Sequence, residues 1–372
     1  MSGLHPGLRR DAADTQAGAP ELGLTLDTDD LGTELRGPDR RRIPARTGPE
    51  NCDVALHPAP SIRLRRCYRG HNAGSAMKLE GIHHVTAITA DARANVEFYA
   101  GTLGLRLVKK TVNQDDPTVY HLFYADERGS AGADITFFEY PGARRGRAGA
   151  GMVHRVVFRV GSEEALDFWA QRAGGERLAG SLRLDDPEGL ALELVVDDSA
   201  DEPLRARHPE IPEAFALRGF AGVRAYTLDE SRSAAFLHGL GFTPGWECRG
   251  EQRGSFYVYD EAVPERGLPG AGTVHHVAWA SRPEEHEAWR ERVLAIGGQP
   301  TPIVDRFYFR SVYFSEPSGV LFEIATIGPG FTSDEPLESL GERLSLPPDF
   351  EAMRERLERQ LTPLPDPRRV PA

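Results

Sequence analysis

The chain repeats itself, and few architectures accommodate such a repeat. From residue 79 onward, four stretches each pass from a short β-like run into an amphipathic helical segment and then into further β-like runs. The first unit, 77–150, opens on IHHVTAIT. Asp91 then stands where a helix N-cap belongs, ahead of VEFYAGTLG and strand-like runs near LRLVKKTV, VYHLFYA and DITFFEY. The second, 151–205, opens on MVHRVVFRV, has its helix in EEALDFWAQRAG and closes on GLALELVVD. The third, 206–268, runs from AGVRAYTLD through SRSAAFLHGLG to SFYVYD. The fourth, 269–330, runs from TVHHVAWAS through PEEHEAWRERVLAIGG to FYFRSVYF and GVLFEIAT. Each helix ends near a glycine (Gly104, Gly174, Gly241, Gly297), consistent with left-handed C-terminal caps. A unit this small leaves one face of its curved sheet bare and must lay it against another unit. The expected fold is α+β: four βαβββ modules forming paired curved mixed sheets. A dinucleotide-binding reading is weaker, because the candidate glycine run Gly239-Leu-Gly241 follows a helix and not a strand.

The flanks differ in kind. Residues 1–76 are rich in Gly, Pro, Arg and Asp without a sustained period, and read as a disordered extension or a start assigned too far upstream. Met77 reads as the opening of the folded part. In 331–372, PLESLGERL and DFEAMRERLERQL are expected as short amphipathic helices of a packing tail, punctuated by Pro347-Pro348. The net charge of −12 argues against nucleic acid as a partner. No run approaches the roughly 18 apolar residues of a membrane span, and the N-terminus lacks a secretory apolar segment. Three cysteines, Cys52, Cys67 and Cys248, show neither metal spacing nor an even count. A cytoplasmic protein off the membrane is expected, with homo-oligomers allowed.

Histidine is scarce, 12 in 372 residues, yet two adjacent pairs fall at matching places: His83-His84 opening the first unit and His275-His276 opening the fourth. The second and third units read His154-Arg155 and Ala221-Gly222 there, so the repeat alone does not demand histidine. Side chains alternate along a strand, so one member of each pair can face a shared concave surface. A carboxylate is at hand in GVLFEIAT, where Glu323 sits among apolar neighbours and needs a partner or a metal. Glu139 and Glu193 occupy comparable closing strands; Glu139 is the fallback, and Glu193 is expected to pair with Arg155. Two imidazoles and one carboxylate leave open positions on an ion, as non-haem Fe(II) oxygenases require, whereas structural zinc is closed by four ligands, often Cys.

The doublets, the FYAGTLG helix end and the run DRFYFRSVYFSEPSGVLFEIAT (Asp305 to Thr326) resemble the vicinal oxygen chelate superfamily. Within it, residues 77–366 are similar to ring-cleaving dioxygenases that act on hydroquinones. The resemblance implies that His84, His276 and Glu323 hold Fe(II), with Mn(II) also suited to the set. It implies Tyr313 and Arg306 beside the metal, and His83, Thr86 and His275 at supporting positions. His275 would move a proton, Tyr313 would hydrogen-bond at the metal and Arg306 would supply fixed positive charge, unless Arg306 is spent on Asp305 or another carboxylate. The metal would lie between the first and fourth units, since the third offers only Gly222. The implied partners are a small aromatic diol and O2. The rivals are a glyoxalase-type isomerase or thiol transferase, with Glu139 as a fourth ligand, and a non-catalytic aromatic-binding protein of the same fold.

Overall fold

The computed structural model describes residues 77–365; the readings made for residues 1–76, including Cys52 and Cys67, lie outside the described residues. Among the described residues, fifteen strands form two mixed sheets. The first unit supplies β1 (Ile82–Thr89), β2 (Arg106–Val112), β3 (Tyr120–Ala125) and β4 (Asp134–Glu139). The second supplies β5 (Met152–Val160), β6 (Glu176–Leu178), β7 (Ser181–Asp185) and β8 (Ala191–Val196), and the third β9 (Phe220–Thr227), β10 (Glu247–Arg249) and β11 (Gly254–Glu261). The fourth supplies β12 (Val274–Ser281), β13 (Val304–Asp305), β14 (Arg310–Ser315) and β15 (Leu321–Thr326). Strand order is β13-β14-β15-β12-β1-β4-β3-β2 in one sheet and β10-β11-β9-β5-β8-β7-β6 in the other. The first and fourth units therefore share a sheet, joined by antiparallel pairing of β1 with β12. The third unit has three strands where the repeat predicts four: it lacks the outer strand that β2, β6 and β13 provide in the others.

The helices are α1 (Ala92–Val96), α2 (Glu163–Ala173), α3 (Ser231–Gly239), α4 (His286–Ala295) and α5 (Arg354–Gln360). Asp91 caps α1 by accepting from the amides of Arg93 and Ala94, and the helix then widens into a π-helical stretch, Glu97–Thr102. Gly104, Gly174, Gly241 and Gly297 all have positive φ, the conformation that ends a helix without a Cβ clash. The sheets meet through large rings: Tyr257 of β11 packs against Phe322 of β15 at 5.0 Å between centroids. Trp279 and Trp169 are fully buried, and truncating such a ring to Ala costs about 3–5 kcal/mol. β1 is buried along its whole length, so IHHVTAIT does not alternate between core and solvent. One side faces the core and the other faces the site.

The tail departs from expectation. PLESLGERL makes only a 3-10 turn at Leu337–Ser339, and DFEAMRERLERQL begins as a 3-10 stretch before α5. The reason is close approach to β2. Gly341, at φ +77°, lies against the Leu107 carbonyl, where any Cβ would collide, and the Ser345 amide donates to the Lys110 carbonyl. A helix would bury its backbone polar groups internally and could not make this edge contact. Lys109 of β2, fully buried, reaches Asp334 at 2.7 Å and Glu335, fastening the tail to the first unit.

Candidate metal centre

The register of four neighbouring strands builds the site. Across β1 and β12, His84 lies opposite Ala278 and Thr86 opposite His276. β15 runs parallel to β12 and sets Glu323 beside Ala278, while β14 sets Tyr313 beside Glu323. His84, Ala278 and Glu323 thus form one row, and the smallness of buried Ala278 lets the outer two side chains meet above it. Their gap is 3.3 Å from His84 Nε2 to Glu323 Oε2; His276 Nε2 lies 2.9 Å from that oxygen and 3.2 Å from His84 Nε2. Among the described residues this trio is the one group of three or more His, Cys, Asp or Glu whose donor atoms converge in this way.

Each doublet carries a β-bulge. Register slips between Ile82 and His84 and again at the β12 partners of Thr86 and Ala87, so His83 and His275 are the extra residues. Simple alternation would have sent them to the far face. The bulge instead turns each ring edge-on to its successor: His83 Nδ1 lies 2.9 Å from His84 Nδ1, and His275 Nδ1 lies 2.7 Å from His276 Nδ1. His83 Nε2 lies 3.2 Å from the Thr326 carbonyl, which can only accept. The proton is therefore on His83 Nε2 and His84 donates from Nδ1, which turns His84 Nε2 inward, toward Glu323 and His276. Metal-binding histidines are usually oriented by such a partner on the second nitrogen.

Electrostatics suit a cation. Burial opposes a charge on Glu323, but the imidazoles of His84 and His276 outweigh it and hold the carboxyl well below its usual range. Ser311 donates to Oε1, while Oε2 has no well-aligned protein donor despite total burial. Burial first, then the neighbouring His276, lowers the His275 pKa to about 3, and burial with His84 does the same to His83, so both rings are neutral. Donor bonds of about 2.1 Å place adjacent corners of an octahedron about 3 Å apart, close to the three separations seen here. The residues fit a divalent metal.

The surrounding residues form a pocket lined by Arg306, Tyr313, His121, Phe138 and Phe309 among others. Arg306 Nε donates to the Tyr313 hydroxyl at 3.2 Å, and its other nitrogens fork onto Asp115 at 3.1 Å each. Asp305, the carboxylate next to it in sequence, instead accepts from the Phe307 amide in a turn where Phe307 has φ +69°. Burial raises the Tyr313 pKa, so the phenol keeps its proton; Arg306, despite burial, is held charged by Tyr313 and Asp115. Thr86 Oγ1 bonds Thr136 Oγ1 at 2.8 Å, and Thr136 bonds His121 Nε2 at 2.9 Å, with the imidazole tilted between Phe123 and Phe138. Glu139 is elsewhere, accepting from the Ala92 amide at the head of α1, and joins no ligand group. Sequence reading missed His121, Ser311, Ala278 and Asp115. A lone His, Ser, Ala or Asp carries no signal until register brings it inward.

The second sheet shows what the fold does without metal donors. It has the same bulges, at His154 and Ala221, and the same pairing, Arg155 opposite Arg224 and Val157 opposite Gly222. There Glu193 meets Arg155 at 3.5 Å and Arg183 at 3.3 Å, and Arg224 forks onto Asp260, which also contacts His154 at 2.8 Å. The ion pair expected for Glu193 is present. The bulge belongs to the fold; the histidines are what this first sheet adds.

A sequence profile of the glyoxalase/bleomycin resistance protein/dioxygenase superfamily matches residues 81–194. The chain is 38% identical over 315 residues to the Bacillus subtilis (strain 168) protein named "Putative ring-cleaving dioxygenase MhqA", spanning 77% of this chain and all of that one. It is 30% identical over 315 residues to a chlorohydroquinone/hydroquinone 1,2-dioxygenase of Sphingobium indicum, covering 76% of this chain and 96% of the relative. The crystal structure of a "putative dioxygenase" from Bacillus subtilis superposes with a TM-score of 0.72 at 37% identity, covering 79% of this chain and all of the other.

Proposed function

Because the chain belongs to the glyoxalase/bleomycin resistance protein/dioxygenase superfamily and is a dioxygenase akin to its ring-cleaving members, we propose that it opens the ring of a hydroquinone-type diol with O2 at an Fe(II) ion. The ion would be held by His84 Nε2, His276 Nε2 and the Glu323 carboxylate. The observation that carries this reading is the convergence of those three donors, all buried, in the wall of a pocket that Tyr313, Arg306 and aromatic side chains also line. Bound there, Fe(II) would bring diol and dioxygen together and pass electron density between them.

The chain's own residues do the rest. The Tyr313 phenol, kept protonated and fed by Arg306 Nε, donates to an oxygen that gains negative charge. Arg306 adds a fixed positive charge whose position Asp115 sets. His275, neutral and accepting through Nδ1 from the Nδ1–H of His276, carries its own proton on Nε2 and can donate it there. Thr86 and Thr136 fix the His121 ring in the wall. The enclosed space is only about 40 Å³, and a small-molecule site needs several times that. Substrate access therefore calls for lining side chains to withdraw, and exposed Asp115 with its loop is the part least buried.

The test is oxygen uptake by protein reconstituted anaerobically with Fe(II), offered hydroquinone, methylhydroquinone and catechol. Uptake with the two para-diols, exceeding that with catechol, is expected. Iron binding with no uptake on any diphenol would sink the reading, and catechol as the preferred substrate would remove its hydroquinone part.

A further inference from the structure

A larger cleft, of about 570 Å³, lies behind the wall formed by His83, Tyr308 and Phe309. Tyr308 and Phe309 line both this cleft and the metal pocket. The rest of its wall comes from Glu80 ahead of β1, the β3–β4 turn, the segment joining the second and third units, the β10–β11 turn and the tail after β15. Much of that wall is apolar, with Leu204, Phe331 and Leu337 beside the two aromatic rings.

Into this setting the fold brings Arg253, 7% exposed. A buried guanidinium ordinarily has a carboxylate partner. Arg253 has none among the described residues: Nη2 donates to the Glu202 carbonyl and Nη1 has no acceptor. The carboxylates whose charge reaches it, Asp201, Asp197 and Asp126, have other partners: Asp201 serves Arg159 and Arg249, Asp197 lies 3.8 Å from Arg159, and Asp126 accepts from the Arg128 amide and from Ser130. Glu80, which lines the same cleft, serves Arg282 and the Gln252 amide. Gly132 shapes the place. At φ +100° it has no Cβ, and one there would stand 2.6 Å from Arg253 Cδ. Arg128, exposed on the turn, adds a second positive charge on the same cleft.

We propose that this cleft is a second ligand site, distinct from the metal pocket, that takes a small organic carboxylate. Arg253 would bind its oxygens and the apolar wall its hydrocarbon part. A guanidinium fork matches a carboxylate in two parallel hydrogen bonds, and the apolar lining selects an organic acid over a hydrated inorganic anion. Because Nη1 is closed off in the present conformation, a small rotation of the side chain accompanies binding.

The test is calorimetric titration of the full-length, metal-loaded protein with benzoate, set against uncharged benzamide and inorganic phosphate. Benzoate is expected to bind at least tenfold more tightly than either. Arg253→Gln should weaken benzoate at least tenfold and abolish its upward shift of Tm, and Arg253→Lys should recover part of the loss. Should Arg253→Gln fail to fold, Arg253→Lys and Arg128→Gln, each binding benzoate more weakly than the parent, carry the same test. Benzoate bound equally by parent and Arg253→Gln would place it in the metal pocket and overturn the proposal. So would no binding, binding no better than benzamide, or a preference for phosphate.

Discussion

Glu323→Gln is expected to weaken metal binding by about 10²–10⁴-fold, from about 3–5 kcal/mol for removing one partner of a buried charged set. Oxygen uptake should fall at least as far. The substitution is nearly isosteric and keeps an oxygen for Ser311, so packing is unchanged. What disappears is the negative charge facing His84 and His276. Stability in the absence of metal should fall as well. The imidazoles of His84 and His276 hold the Glu323 carboxyl well below its usual range, so its charge stabilises the fold at neutral pH and a neutral amide forfeits that contribution. The metal-free variant should therefore melt below the parent. The parent should gain far more Tm than the variant on adding Fe(II) or Mn(II), because a ligand that binds only the native state stabilises it by RT ln(1 + [L]/Kd). Metal titration followed by thermal melts reads both effects. A variant that keeps its metal-induced shift would show that Glu323 is not a ligand.

Lys109→Met should lower Tm by about 10 °C. Lys109 is fully buried between Asp334 and Glu335, with the Tyr308 ring 4.9 Å from its ammonium. Taking away the cation leaves carboxylates stranded near a dry interface, which costs about 3–5 kcal/mol, and in a chain of this size each kcal/mol is worth about 2–4 °C. Adding Glu335→Gln to Lys109→Met should restore part of the loss, because the charge then stranded is gone. A melt unchanged by Lys109→Met would mean that the tail is held by apolar contacts alone, such as Phe331 against Phe123.

The repeat was legible because each unit must solve the same burial problem with the same strand and helix periods. Asp91 and the helix-ending glycines were legible because caps depend on local chemistry. The His doublets stood out through the contrast with His154-Arg155 and Ala221-Gly222. Register was not legible. A one-residue slip in β1 would send His84 to the other face, and nothing local announces the bulges at His83 and His275. The value of Ala278 is that it is small between two longer side chains, and the partner of Arg306 is Asp115, 191 positions away. The tail was misread as helical at PLESLGERL because amphipathic spacing says nothing of Gly341 pressed against β2. The missing outer strand of the third unit left no mark in a pattern that the other three units complete.

The central claim is a single divalent metal at His84, His276 and Glu323. Anomalous diffraction from crystals of protein loaded with Fe(II) under anaerobic conditions, recorded on both sides of the iron edge, tests it most directly. One peak per chain is predicted, within bonding distance of His84 Nε2, His276 Nε2 and a Glu323 oxygen. An iron peak elsewhere, or none in crystals whose protein carries one equivalent of iron, would contradict the account.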